Sequence, residues 1–193
     1  MKNLQRIAKI IRMITVPPVM VILLSIMLYA GRKTMFWSNA DAAAAMIFLG
    51  VVPILAYPMQ KWIPGFRDQG REGQRKLAFI FNIIGYLAAW GYGLLMRVSP
   101  ELEQLFTAYL LSVLLLSAAN QFLKIRASGH ACSTIAPVFF TGYFLAVGKT
   151  LFFLVMASAS IWASIYLKRH QPKDIIAGVL VFVCSFFMAV LFT

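Results

Sequence analysis

Long runs of apolar residues alternate with short charged clusters along the 193 residues of the chain. A run of roughly 20 apolar residues crosses the hydrocarbon core as a helix, because a helix satisfies its own backbone hydrogen bonds. The sequence therefore predicts a single all-α transmembrane domain over the whole chain, a polytopic helix bundle of six to seven spans. The candidate spans lie near residues 14–31, 41–60, 77–96, 104–123, 131–148, 150–167 and 174–193.

Two places in this pattern depart from a simple span. The first candidate span is short and contains Pro17 and Pro18, which also argue against a cleavable signal peptide. Residues 1–13 are therefore predicted to form an uncleaved, amphipathic and basic segment. The fifth and sixth spans are separated only by residues 148–150, Gly-Lys-Thr, which predicts a tight helical hairpin with its turn there.

The composition supports a membrane protein, and the distribution of its positive charge favours contacts with the membrane. Apolar residues make up 61% of the chain and charged residues only 12%, far from the balance of a soluble domain. The net charge of +12 falls in clusters between the apolar runs. Such clusters are typical of membrane-flanking anchors and of contacts to anionic lipid, so we expect membrane lipids as partners and no nucleic acid.

The distribution of lysine and arginine predicts the orientation. With the N-terminus inside, the first 13 residues and the loop 61–76 place nine of these residues in the cytoplasm, against four on the other side. Pairs of spans separate the 61–76, 124–130 and 168–173 loops, so all three emerge on one side. We expect an integral protein of a bacterial-type plasma membrane with these loops in the cytoplasm.

The two histidines of the chain lie at membrane borders on that shared side. His130 precedes the fifth span, and His170 precedes the seventh. His170 and Asp174 are four residues apart, so their side chains share one face of a helix. Pro172 suits the first turn of that helix. A carboxylate at this position can hold the imidazole in one tautomer and make its other nitrogen more nucleophilic.

The segment Ser128-Gly129-His130 opens the fifth span. Free N–H groups and the helix dipole at a helix start favour an anion, and glycine allows close approach of a phosphate. Cationic side chains surround both histidines in the sequence, which suits a lipid phosphate group; they are Lys124, Arg126, Lys168, Arg169 and Lys173.

These segments resemble the second and third signatures of the type 2 phosphatidic acid phosphatase superfamily of membrane lipid phosphatases. The family pattern is K-x6-R-P, then P-S-G-H, then S-R-x5-H-x3-D. Residues 127–130, Ala-Ser-Gly-His, are similar to the second signature. Ala163-Ser164-x5-His170-x3-Asp174 has the spacing of the third, with Ser164 where the family has arginine. Lys124 stands for the lysine of the first signature, which is otherwise degenerate, and the resemblance covers residues 77–193 as a phosphatase-like core.

The resemblance implies a division of labour among these residues. His170 would attack phosphorus to form a phosphohistidine, Asp174 would orient it, and His130 would protonate the leaving lipid oxygen. The phosphate cradle would consist of Lys124, Arg126, Ser128 and Gly129. Further phosphate contacts are expected among Arg67, Arg71, Arg75, Ser164 and Arg169. Neither a metal nor another cofactor is implied.

Other readings of the same residues remain open at this stage. His130, His170 and Asp174 are also the side chains from which a metal site would be built, although the nearby cations would repel a divalent ion. The non-enzymatic alternative is a catalytically weakened or inactive lipid-phosphate-binding protein, or a transporter. Transporters usually place charged residues deep in their spans, whereas here the charge lies at one border. The expected substrate is a lipid phosphate or diphosphate, such as phosphatidate or a polyprenyl phosphate.

Overall fold

The structure is a computed structural model that describes residues 2–122 and 124–193, leaving out the Lys2 side chain. Met1, in the predicted N-terminal segment, and Leu123, at the end of the fourth predicted span, lie outside the described residues. The described part of the chain contains nine α-helices and no strand: α1 (Lys2–Ile14), α2 (Pro17–Gly31), α3 (Asn39–Met46), α4 (Val52–Met59), α5 (Gly70–Met96), α6 (Pro100–Gln121), α7 (Gly129–Phe144), α8 (Val147–Tyr166) and α9 (Pro172–Phe192). A π-helical turn joins α3 to α4 into one continuous stretch.

The predicted all-helical membrane bundle is confirmed. Within the described residues, five helical stretches are long and apolar enough to cross a bilayer: Asn39–Met59, Arg67–Met96, Pro100–Gln121, Val147–Tyr166 and Pro172–Phe192. A sixth is added when α1 and α2, which are bent by 57° relative to each other, are counted as one broken span. Helix α7 has 16 residues and is shorter than a typical span. Large apolar side chains such as Leu95, Val155 and Phe187 lie exposed on the outer surface, where a bilayer would cover them.

Prolines set where several helices begin. Pro17, Pro100 and Pro172 each occupy the first position of a helix, where the missing N–H is not needed. Ser99 caps α6 by accepting a hydrogen bond from the Leu102 N–H at 3.2 Å. The predicted helical start at Pro172 is therefore confirmed.

The hairpin between the fifth and sixth predicted spans turns earlier than the sequence suggested. Helix α7 ends at Phe144 and α8 begins at Val147, so the turn consists of residues 145 and 146. The predicted turn at residues 148–150 is wrong, because these residues form the start of α8.

An aromatic core fixes the helices that carry the histidines. Tyr109 of α6, Phe140 of α7 and Phe186 of α9 pack together, with ring centroids 6.1 Å apart for the first pair and 5.3 Å for the second. Helix α9 packs against both α6 and α7, α7 packs against α8, and α1 lies against α8. The starts of α7 and α9 are therefore held side by side at one end of the bundle, with α1 beside them.

Candidate active site

The starts of α7 and α9 are joined directly. The Ser128 N–H donates a hydrogen bond to the Asp174 carbonyl oxygen at 2.8 Å. Gly178, one turn further along α9, lies so close to the Ser128 carbonyl that a β-carbon at this position would collide with it. The Ser-Gly-His segment and the His-x3-Asp segment are therefore packed backbone to backbone, which brings His130 and His170 to one site.

His170 and Asp174 form the predicted pair, although His170 lies just outside α9, ahead of its N-cap residue Gln171, and not on the helix as the spacing suggested. The His170 Nδ1 atom is 3.6 Å from the Asp174 Oδ2 atom, and the two side chains are 13% and 6% exposed. The same Oδ2 atom accepts a hydrogen bond from the Gln171 N–H at 3.0 Å, which orients the carboxylate. Nδ1 is buried and has no hydrogen-bond partner among the described residues. The exposed part of the ring is therefore its side away from Asp174, where a substrate can approach.

Arg12 reaches this site from the N-terminal helix α1. Its Nη1 atom donates a hydrogen bond to the Ser164 Oγ atom at 2.6 Å, and that hydroxyl donates to the Ser160 carbonyl at 2.8 Å. Ser164 occupies the position where the third family signature has its arginine. A guanidinium group is therefore present beside that position, supplied by a different helix.

Thr15 connects the same helix to the other histidine. Its Oγ1 atom lies 3.4 Å from the His130 Nε2 atom and 3.0 Å from the Ser160 hydroxyl. It also lies 2.8 Å from the Ile11 carbonyl, to which it can donate. A threonine hydroxyl has one proton to give and two lone pairs, so it can accept from an imidazole N–H at the same time. Thr15 can thus hold the His130 ring with a proton on Nε2.

The site has a large excess of positive charge. Of the charged groups, Arg12 acts most strongly on both histidines. Further guanidinium groups close to Arg12 or His170 belong to Arg71, Arg75 and Arg126. In the described part of the chain, no carboxylate lies within 4 Å of any of these four groups. An anion at this site would therefore meet several cations whose charge is not already neutralised by an ion pair.

His170 is tuned toward its neutral form. Burial, followed by the positive charge of Arg12, lowers the pKa of His170 from its ordinary value, and the Asp174 carboxylate only partly opposes this. Since the ordinary pKa of histidine is about 6.5, the imidazole is mainly uncharged at neutral pH. A neutral imidazole has a free lone pair, as a nucleophile requires.

The resemblance to lipid phosphatases rests on the motif residues of the sequence. Comparison with known protein families, curated proteins and solved structures finds no match to this chain. Within residues 2–122 and 124–193, His, Cys, Asp and Glu side chains form no group of three or more that could hold a metal ion.

The predicted phosphate contacts differ in whether their polar groups are already bonded within the protein. Ser128 is buried. Its hydroxyl caps α7 by accepting a hydrogen bond from the Ala131 N–H at 3.3 Å, and its own N–H donates to the Asp174 carbonyl oxygen. Ser128 therefore organises the helix start, and the N–H groups of Gly129 and His130 are the ones placed to meet an anion. Lys124 lies exposed in the loop before α7 and Arg169 in the loop before α9.

The arginines of the 61–76 loop also separate into two groups. Arg71 and Arg75 lie on the first turns of α5, close enough to act electrostatically on Arg12. Arg67 precedes that helix and forms an exposed ion pair with Asp68 at 3.2 Å. Of the three loop arginines expected as further phosphate contacts, Arg71 and Arg75 therefore lie near the site, and Arg67 is paired elsewhere.

Sequence reasoning missed Arg12 and Thr15. Arg12 was counted only as a basic residue that sets the orientation. One signal was present: Ala8, Arg12 and Thr15 recur at helical spacing and form one stripe of α1. Ala8 and Thr15 are fully buried, and Arg12 is half-buried between them, whereas the neighbouring apolar residues of α1 are largely exposed.

Proposed function

We propose that this protein is a metal-independent integral membrane phosphatase that hydrolyses a lipid phosphate or diphosphate through a phosphohistidine at His170. The observation that carries the proposal is the meeting of His170, Asp174 and His130 with Arg12 at one end of the bundle. A neutral, carboxylate-oriented imidazole beside unpaired guanidinium groups suits in-line attack on a phosphate ester. The end of a membrane bundle, where the headgroups lie, suits a substrate anchored by its hydrocarbon part.

The first chemical step transfers the phosphoryl group to the protein. The exposed nitrogen of His170 forms a bond to phosphorus while the bond from phosphorus to the lipid oxygen breaks. A lipid phosphate that binds as its monoanion brings the proton: His130 takes it from a phosphoryl oxygen and donates it to the leaving lipid oxygen, so the lipid leaves as an alcohol. Arg12 binds the phosphoryl oxygens, which carry the negative charge in the transition state. Asp174 stabilises the positive charge that His170 acquires. The two groups are 3.6 Å apart without substrate. Catalytic hydrogen bonds that are long in the free protein often shorten when substrate binds.

The second step returns the protein to its starting state. His130, now neutral, accepts a proton from a water molecule whose oxygen attacks phosphorus. The bond between phosphorus and the His170 nitrogen breaks, and inorganic phosphate leaves. His130 passes this proton to the departing phosphate, so both histidines are again uncharged.

A binding protein without turnover is the second candidate. It is favoured by one observation, the serine at position 164 in place of the signature arginine, which leaves the phosphate contact to a residue from another helix. Such a protein would bind lipid phosphates at the same site without releasing phosphate.

We expect the detergent-purified protein to release inorganic phosphate from at least one member of a lipid panel in excess chelator. The panel comprises phosphatidate, lysophosphatidate, polyprenyl phosphate and diphosphate, and phosphatidylglycerophosphate. The cationic residues around the site would repel a divalent ion, so chelation should leave the rate unchanged. A His170→Ala preparation, purified identically, controls for contaminating phosphatases. Activity restored only by one divalent metal would contradict the mechanism, and binding without any phosphate release would favour the second candidate.

We also propose that the site faces the cytoplasm, because the lysines and arginines of α1 and of the 61–76 loop share its end of the bundle. Single cysteines at Gln69 and Gln171, both exposed, can be introduced after Cys132 and Cys184 are replaced. An impermeant thiol reagent should label both only after intact cells are permeabilised. Trp37→Cys, in the exposed loop at the opposite end, should react without permeabilisation. Labelling of Gln69→Cys and Gln171→Cys on intact cells would show that the site is external.

A further inference from the structure

An apolar groove opens at the junction of α1 and α2, beside the candidate site. It has a volume of about 420 Å³, within the range of small-molecule sites. Six residues line it, from the α1–α2 junction and from α4: Met13, Val16, Val19, Ile54, Tyr57 and Pro58. The lining is almost entirely apolar, with the Tyr57 hydroxyl as its polar side-chain group.

The bend between the two helices explains why the groove exists. The prolines at residues 17 and 18 prevent α1 from continuing into α2, and the two axes differ by 57°. Helix α1 therefore lies against α8 instead of continuing the line of α2, and the groove remains between the junction and α4.

The groove adjoins the candidate site along the chain. Its lining residues Met13 and Val16 directly follow Arg12 and Thr15, the two residues that reach the histidine site. Tyr57, on the opposite wall, lies near Arg12. The groove therefore begins next to residues that would meet a phosphate group, and its own lining is apolar. The cavity at the opposite end of the bundle differs, because its Arg32 is already paired with Glu101 at 3.2 Å.

We propose that this groove holds the hydrocarbon chain of the lipid phosphate substrate next to its phosphate group. The proposal rests on the proposed function and adds a tail-binding subsite to it. An occupant with an anionic head and an apolar chain matches the order of the surfaces, cationic at Arg12 and apolar beyond it. Discrimination between long-chain and short-chain phosphates would then arise at the α1–α2 junction.

Filling the groove tests the proposal. In Val19→Trp and Ile54→Trp, the larger side chain should raise the KM for a long-chain lipid phosphate by on the order of tenfold, as expected for a steric clash. The turnover of a short, water-soluble aryl phosphate should change by less than about twofold, a difference too small to reflect a lost contact. Leu180→Trp, at an exposed position of α9 outside the groove, is the matched control and should leave both substrates unaffected. If the tryptophan variants do not fold, Ile54→Phe provides a smaller obstruction.

Binding without turnover separates this proposal from the proposed function. A non-hydrolysable long-chain alkylphosphonate should raise the Tm of the wild-type protein, and this shift should be reduced in Val19→Trp but retained in Leu180→Trp. Equal shifts in all three proteins would overturn the tail subsite, even if phosphatase activity is present. A reduced shift specific to Val19→Trp would support the subsite, even if no phosphate is released. A permanently bound membrane lipid in the groove would leave chain-length discrimination unchanged in the filled variants, and that result would also overturn the proposal.

Discussion

Replacing His170 by alanine is expected to lower turnover by roughly 10⁴-fold or more, as removal of a catalytic nucleophile does in other enzymes. The variant should form no trapped phosphoenzyme, because the imidazole that accepts the phosphoryl group has been removed. His130→Ala should slow turnover by about 10²–10⁴-fold through loss of proton transfer to the leaving oxygen. It should still form the phosphoenzyme from an aryl phosphate, whose leaving group needs no protonation. Rapid-quench kinetics with both substrate types measure these differences.

The His130→Ala variant is the matched control for the loss of a histidine at this end of the bundle. Both variants should remain monodisperse in detergent with a Tm close to that of the wild type. Phosphoenzyme at an undiminished level in His170→Ala would contradict the assignment of the nucleophile. Equal loss of intermediate in both variants with the aryl substrate would contradict the separate role of His130.

Arg12→Ala is expected to lower kcat/KM by about 10²–10³-fold, the usual cost of losing a donor aimed at transition-state charge. Arg12→Lys should recover part of this loss by charge, but not the fixed geometry of the guanidinium group. Arg6→Ala removes the same side chain from an exposed position of the same helix and should have little effect. Measuring phosphate release by these three variants distinguishes a specific role of Arg12 in the site from a general effect of positive charge on α1. Equal losses in Arg12→Ala and Arg6→Ala would contradict the specific role.

The pH dependence gives Arg12 a second signature. The positive charge of Arg12 lowers the pKa of His170, so its removal should raise that pKa and move the acid limb of kcat/KM to higher pH. Asp174 acts in the opposite direction, so Asp174→Asn should move the same limb to lower pH. Ionisation of the substrate is common to all variants and cancels in the comparison. Unchanged acid limbs in Arg12→Ala and Asp174→Asn would show that His170 is not the group that must be deprotonated.

Local sequence patterns were sufficient for the helices and for one half of the site. The apolar runs and the helix-starting prolines are local signals, and the structure has helices where they predict spans. The pairing of His170 with Asp174 is also local, although its geometry differs from the one predicted: His170 lies ahead of the α9 N-cap, and the capping hydrogen bond from the Gln171 N–H brings the Asp174 carboxylate next to it. Both histidines were expected on one side of the membrane from the count of spans, and the structure brings them together.

The other half of the site depends on tertiary packing that spacing does not encode. Arg12 is 152 residues away from Ser164 in the chain, and their hydrogen bond exists because the bend before α2 directs α1 along α8. Gly178 looked like an ordinary residue of a membrane helix, but its missing side chain allows Ser128 to reach Asp174. The role of Ser128 was similarly altered by packing, since its N–H and hydroxyl are both used within the protein.

The most direct test of the central claim is to locate the phosphoryl group on the protein during turnover. The wild-type protein is mixed with an isotopically labelled lipid phosphate, quenched within one turnover at alkaline pH, digested and analysed by mass spectrometry. We predict an acid-labile phosphoryl group on the imidazole of His170, with its amount falling as inorganic phosphate appears. A phosphoryl group on another residue, or rapid phosphate release without any covalent intermediate, would contradict the mechanism.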